Sequence, residues 1–325
     1  MHGISMENQT IVPYNDCKNS ETASWVPPAL EFFFGILGNV IAVLLVWINR
    51  KDHRWSSFYK MFTALAVTDF MGILLTYPFI IKRYTSRFTY CFSPDVCKFT
   101  AFVMVDTHLA SAMLIAALSV DRLIVLKNPS LLRAPHAKKR YKVIVVFIWI
   151  TSSVISMLQL VGVGSVSLYY PGSWCYFNFK EPTGGDLIMS YLYSVIGLLI
   201  IFITLISNVV TLRKVCIDPF AKGTLLDSNL VSGYYDHHVM IFILAVTVSF
   251  VATWSPLIVD IFLHAAGQRT GAGRLELWFV RLTFLNAIID PWLYIILRKE
   301  SVTKLVSLCR LLGSQRPSEQ ESLLE

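Results

Sequence analysis

The chain has 325 residues, 55% of them apolar and only 15% charged, with a formal net charge of +7. That composition excludes an ordinary water-soluble domain, because the apolar residues lie in long blocks rather than at amphipathic spacing. The basic excess sits in alternate segments between those blocks, so it reads as membrane orientation, and nucleic-acid binding is a poor explanation for it.

Residues 1–26 are polar and hold a glycosylation sequon at Asn8-Gln-Thr10. No cleavable signal peptide opens the chain, so the first apolar block is expected to serve as the insertion signal. Seven blocks are long enough to cross about 30 Å of hydrocarbon at about 1.5 Å per residue. Span one covers 27–49 and contains Gly38-Asn39, and span two covers 58–82 and contains Leu65-Ala-Val-Thr-Asp69. Span three (97–126) ends in Asp121-Arg122, and spans four and five cover 140–163 and 187–212. Span six (238–264) holds Trp254-Ser-Pro256; span seven (275–297) holds Arg281, Asn286 and Asp290-Pro291. Lipid leaves a helical bundle as the way to satisfy the backbone of such segments. Beyond span seven, residues 299–312 carry apolar residues at helical spacing with bases between them, which predicts a short interfacial helix, with Cys309 either lipidated or a plain thiol. The fold class is thus an all-α membrane protein. A seven-transmembrane helix bundle (27–298) stands between an extracellular N-terminal segment (1–26) and a cytoplasmic amphipathic helix and tail (299–325).

The basic residues set the orientation. Arg50, Lys51 and Arg54, then Lys127, Arg133, Lys138, Lys139 and Arg140, then Arg213, Lys214 and Lys222 all fall on one side, with the tail. That side is expected to be cytoplasmic, leaving the N-terminus outside. Cys17, Cys91, Cys97 and Cys175 then lie outside, where disulfides persist, and Cys216 and Cys309 inside. Four external cysteines permit three pairings; Cys97–Cys175 is favoured, with Cys17–Cys91 as the second pair.

Arg281 is the most informative single residue. A guanidinium at membrane depth costs at least about 2.5–3.5 kcal/mol on insertion scales, so it marks function. Asp290, nine residues on, is turned by about 180° and displaced by about 13.5 Å, which rules it out as a partner. Enzyme chemistry has little support, since no P-loop, Gly-x-Ser-x-Gly, His-Glu-x-x-His or Cys-x-x-Cys pattern occurs. His237-His238 reads as a solvated helix end, because adjacent helical residues point about 100° apart.

Gly38-Asn39, Asp69, Asp121-Arg122, Trp254-Ser-Pro256 and Asn286-x-x-x-Asp290-Pro291 form one ordered set that resembles the rhodopsin-like G-protein-coupled receptors along nearly the whole chain. The resemblance implies a polar cluster of Asp69, Ser111, Asn286 and Asp290, often sodium-occupied. It also implies an Asp121–Arg122 switch at the cytoplasmic end, a heterotrimeric G protein as partner, and arrestin as a further one. No other cofactor is expected. The aspartate of amine receptors is replaced by Met104, and Asp106 is turned about 200° from that position. The retinal-linking lysine of opsins is Phe284 here.

Within that superfamily, Tyr170-Pro-Gly-Ser-Trp-Cys175-Tyr-Phe177 and an arginine nine residues before Asp290-Pro291-Trp292 resemble the prostanoid receptors, as does the stretch from Ser57 to Gly72 followed by Tyr84. By this resemblance Arg281 clamps the carboxylate of a prostanoid, most simply an E-type prostaglandin. Tyr84 and Ser173 add hydrogen bonds, Trp174 lines the covering loop, and Met104 and Trp254 face the hydrocarbon chains. Ser173 replaces the usual threonine, Phe284 a serine typical of prostaglandin E receptors, and Asp121 a glutamate. Span six looks like one branch of that family and span seven like another, leaving the subtype open. Three alternatives remain: a receptor for another acidic lipid or a small peptide, an anion transporter, and, for Arg281, an internal pair with Asp260 at comparable depth.

Overall fold

The computed structural model describes residues 24–48, 57–128, 137–180, 184–217, 237–269 and 273–297. Asn8, Cys17, Cys309 and the expected helix over 299–312 lie outside the described residues. Among the described residues there are seven helices, in chain order: α1 Val26–Ile48, α2 Ser57–Thr85, α3 Pro94–Lys127, α4 Ala137–Met157, α5 Gly184–Ile217, α6 His237–Ala265 and α7 Arg274–Leu297. Between α4 and α5 the chain forms a hairpin of β1 (Val166–Tyr169) and β2 (Trp174–Phe177). All seven helices are long and apolar enough to cross a membrane. Large apolar side chains such as Phe33, Trp47, Phe147, Phe202, Val248 and Trp278 point outward and exposed, the surface a lipid-facing bundle presents.

Helix α3 forms the central post of the bundle. Ser93 caps its start, accepting from Val96 N at 3.3 Å; Pro94 sits in the first turn, and Asp95 complements the helix dipole there. Around α3 the neighbouring helices are joined by polar contacts, each set by one residue embedded in an apolar run. Asp106 accepts from Ser152 and Ser153 of α4 at 2.7 and 3.1 Å, so it faces α4. Asn208 of α5 donates to Ser119 of α3 at 2.9 Å and to Thr247 of α6 at 2.8 Å, tying three helices at one depth. Trp149 of α4 donates to Thr68 of α2 at 2.9 Å.

Contact between α1 and α7 depends on a missing side chain. A methyl group on Gly38 would meet the Trp292 indole nitrogen at 2.7 Å and Pro291 at 3.2 Å. With glycine there, Trp292 donates to Phe34 O at 3.2 Å and Asn39 donates to Ala287 O at 3.1 Å.

The boundary that differs most from expectation is the end of α4. The apolar run read as helical to residue 163 leaves the helix at Met157. Turn hydrogen bonds from Leu160 and Val161 to Met157 O and a positive φ of 91° at Gly162 redirect the chain into β1.

Candidate ligand-binding site

The hairpin closes one end of the bundle. Its strands pair antiparallel, Val166 opposite Phe177 and Tyr169 opposite Trp174, leaving Tyr170-Pro171-Gly172-Ser173 as the turn. Gly172 has φ 88°, which explains glycine at that point. Cys175 is bonded to Cys97 at the start of α3, with the Cα atoms 5.4 Å apart, so β2 is stapled to the central helix. Cys91 is also disulfide-bonded. Tyr169 stacks between Trp174 and Phe179 at 4.5 and 4.8 Å. Its hydroxyl donates to Phe177 O at 2.7 Å and accepts from Phe179 N at 3.1 Å. Burial pushes the Tyr169 phenol well above its ordinary range, so this donor stays protonated.

A buried arginine clamps the turn from below. Arg83 Nε donates to Gly172 O at 2.9 Å, and its Nη1 donates to Phe88 O at 2.5 Å and to Tyr90 O. One guanidinium thereby joins the hairpin turn to the α2–α3 connection, using its fixed fork of donors on three backbone carbonyls.

Beneath the turn, α1, α2 and α7 enclose a cavity of about 20 Å³. Its polar lining is Glu31, Tyr77, Tyr84, Ser173 and Arg281, with Trp174 as cover and Phe284 among the apolar walls. Tyr84 is the junction: its hydroxyl accepts from Arg281 Nη2 at 3.3 Å and from Ser173 Oγ at 3.2 Å. Four of the six residues expected to meet a ligand (Arg281, Tyr84, Ser173 and Trp174) therefore come together from α7, α2 and the hairpin. Met104 and Trp254 do not line this cavity. Both are buried in the main core, Trp254 stacked on Phe250 at 5.3 Å. The cavity holds about one water molecule, and a drug-sized lipid needs roughly 300 Å³ or more, so entry requires its walls to part.

The alternative pairing of Arg281 with Asp260 does not form. Asp260 accepts from Arg269, and His264 Nδ1 lies 3.6 Å from its other oxygen. The reason is the turn after α6: Gly267, at φ 68°, reverses the chain and brings Arg269 back over the helix end. Arg281 instead faces Tyr84 and shares its cavity with Glu31, whose Oε2 accepts from Tyr77 at 2.9 Å. Neither Glu31 nor Arg83 stands out in the sequence. Each lies near a helix end, where a charge reaches water at little cost.

Deeper in the bundle, Ser111 donates to Asp69 at 2.5 Å, Asn286 donates to Asp290 at 3.2 Å, and Thr253 donates to Asn286 at 3.4 Å. Asp69 and Asp290 each retain a buried oxygen with no hydrogen-bond partner. At the opposite end from the hairpin, Asp121 pairs with Arg140 at 3.4 Å, and the Arg122 guanidinium lies 4.3 Å from the Phe58 ring centre.

Comparison with known proteins agrees with this architecture. Residues 38–294 match the family model described as 7 transmembrane receptor (rhodopsin family). The human prostaglandin E2 receptor EP4 subtype is 24% identical over 335 residues, covering 89% of this chain and 68% of that protein. The rabbit (Oryctolagus cuniculus) prostaglandin E2 receptor EP3 subtype is 27% identical over 335 residues, covering 95% and 80%. Squid rhodopsin superposes with a TM-score of 0.74 at 16% identity, covering 94% of this chain and 92% of that one, a likeness of fold. Matched over most of its length by a model of receptors rather than enzymes, the chain belongs to the rhodopsin family of seven-transmembrane receptors.

Proposed function

We propose that the chain is a plasma-membrane receptor for a prostanoid, with E-type prostaglandins the first candidates, and that it signals through a heterotrimeric G protein to change cyclic AMP or calcium. The observation that carries this reading is the hydrogen-bonded line Ser173–Tyr84–Arg281 under Trp174. A guanidinium, two hydroxyls and an aromatic cover are the groups a carboxylate head requires at the dry end of a pocket. In this reading the hairpin end is extracellular, as is the N-terminus. The lipid's carboxylate takes two parallel hydrogen bonds from Arg281, and its chains open the space now filled by Phe284 and its neighbours. Parting the α1–α7 wall biases α6 and α7 about Pro256 and Pro291, which changes the opposite end near Arg122, where the G protein and, after it, arrestin dock.

The central cluster suits a sodium ion. Its donors are hard oxygens from Asp69, Ser111, Asn286 and Asp290, and the two carboxylate oxygens without partners call for a cation. When bound, sodium supplies positive charge to two buried acids that otherwise repel.

Cyclic AMP and calcium responses to a prostanoid panel, measured beside Arg281→Ala, test the reading. Loss of at least about a hundredfold in potency is expected for a charge-assisted anchor worth about 3 kcal/mol. An unchanged mutant response would sink the anchor. Silence of a surface-expressed wild type to every prostanoid would favour another acidic lipid or a small peptide.

A further inference from the structure

We infer that Glu31 is the internal counter-charge of Arg281, and that it sets how strongly this pocket prefers a carboxylate over an uncharged head group. The inference rests on the cavity being the site of a carboxylated lipid, and it goes beyond that reading by naming a residue that works against the acid.

Glu31 stands on α1 and lines the same cavity of about 20 Å³ as Arg281. In so small a space, with both side chains only partly exposed, two opposite charges are solvated less well than in bulk water, so each depends in part on its neighbours. One carboxylate oxygen of Glu31 takes a hydrogen bond from Tyr77 at 2.9 Å, which fixes the side chain against α2. Glu31 and Arg281 lie within electrostatic reach of one another, and Tyr77 feels both. On the other side, Tyr84 accepts from one guanidinium nitrogen, Nη2, of Arg281. A guanidinium has five N–H donors, so the contact with Tyr84 leaves most of them for an acid.

The net charge of the lining gives the consequence. Arg281 contributes one positive charge, Glu31 one negative charge, and the hydroxyls of Tyr77, Tyr84 and Ser173 none, so the pocket is neutral. A lipid carboxylate entering it must share Arg281 with a second acid in a low-dielectric space. An ester or amide head brings a carbonyl acceptor without that repulsion, and Arg281 can donate to it with Glu31 still in place. The pocket therefore discriminates acid from ester less sharply than an isolated arginine does, and Glu31 is the specificity-determining residue responsible.

The test uses the full-length receptor with prostaglandin E2 and its methyl ester. Glu31→Gln keeps the shape and the Tyr77 hydrogen bond while deleting the charge. The acid is expected to gain about tenfold in potency and the ester to shift by less than about twofold. Glu31→Asp, which retains the charge, should hold the acid-to-ester ratio near wild type, whereas a packing defect moves both ligands together in both variants. Equal shifts of acid and ester in Glu31→Gln overturn the inference. A ligand-free arm separates this outcome from failure of the prostanoid reading. Melting temperatures of Glu31→Gln, Arg281→Gln and the double variant should be non-additive, the double losing less than the sum of the singles. Additive losses overturn the pairing. Non-additive losses in a receptor that answers to neither ligand support the pairing and overturn the prostanoid reading instead.

Discussion

Tyr84 holds together two parts of the cavity that are far apart in sequence, since one hydroxyl accepts from both Ser173 and Arg281. Tyr84→Phe removes that junction while keeping the ring against Phe88 at 5.1 Å. Ligand potency should fall about tenfold, the value of one lost hydrogen bond to a charged group, with surface expression unchanged. A larger consequence for stability is expected at Arg83, which satisfies three backbone carbonyls from a position only 2% exposed. Arg83→Ala should lower stability by at least about 3 kcal/mol, because the carbonyls are left buried without donors, and thermal unfolding of the purified receptor measures it. These residues also show what the chain discloses in one dimension. Arg281 is legible because an ion inside an apolar run is costly wherever it ends up. Arg83 and Glu31 are not, because a charge within about a turn and a half of a helix end reads as an ordinary interfacial residue. Arg83 is buried beneath the hairpin turn it clamps and Glu31 is held by Tyr77 of α2, and no local pattern encodes either contact. The alternative Arg281–Asp260 pair fails for a related reason, because the partner of Asp260 comes from the turn after α6.

Helices and hairpin differ in how they are specified. The helices arise from apolar length alone, and six of the seven expected spans match the observed elements to within a few residues at most boundaries. The exception is α4, where apolar residues continue past Met157 but Gly162 and Gly164 do not continue the helix. The chain turns there into a two-stranded hairpin, too short to stand by itself in water, which borrows its stability from the Cys97–Cys175 bond and the Tyr169–Trp174 stack. The disulfide closes 78 residues of sequence, so Cys175→Ala with Cys97→Ala should remove about 2–5 kcal/mol and lower ligand affinity through the loosened cover. Tyr169 and Tyr176 add a pH signature. Burial raises both phenols above the ordinary 10.0, so their stabilising protonated form is fully present below that value and is lost as pH rises beyond it. Emission from Trp174 should accordingly stay constant with pH until the alkaline range.

At the scale of the whole molecule, a short column of buried polar groups from α2, α3, α6 and α7 lies deeper in the bundle than the cavity under the hairpin. Asp69 and Ser111 form one half of that column, and Asn286, Asp290 and Thr253 the other. The two carboxylates feel each other's charge, and each keeps an oxygen without a hydrogen bond. In the proposed mechanism such a column would favour one helix arrangement with a cation between its halves and another with a proton in its place, and so would report pocket opening to Arg122. If the proposed ion binds the folded bundle and not the unfolded chain, sodium should raise the melting temperature of the empty receptor relative to choline at equal ionic strength. At a concentration of about a hundred times the dissociation constant, the gain is about 2.7 kcal/mol. Asp69→Asn replaces one carboxylate by a neutral amide of the same shape, so the variant should melt at the same temperature in sodium and in choline. A wild type indifferent to sodium would remove the ion from the mechanism. A sodium response that survives Asp69→Asn would place the ion elsewhere. By reciprocity, if sodium favours the closed bundle, an agonist that opens it weakens sodium binding by the same factor that sodium weakens the agonist. Agonist affinity measured in the two salts should then differ in wild type and coincide in Asp69→Asn.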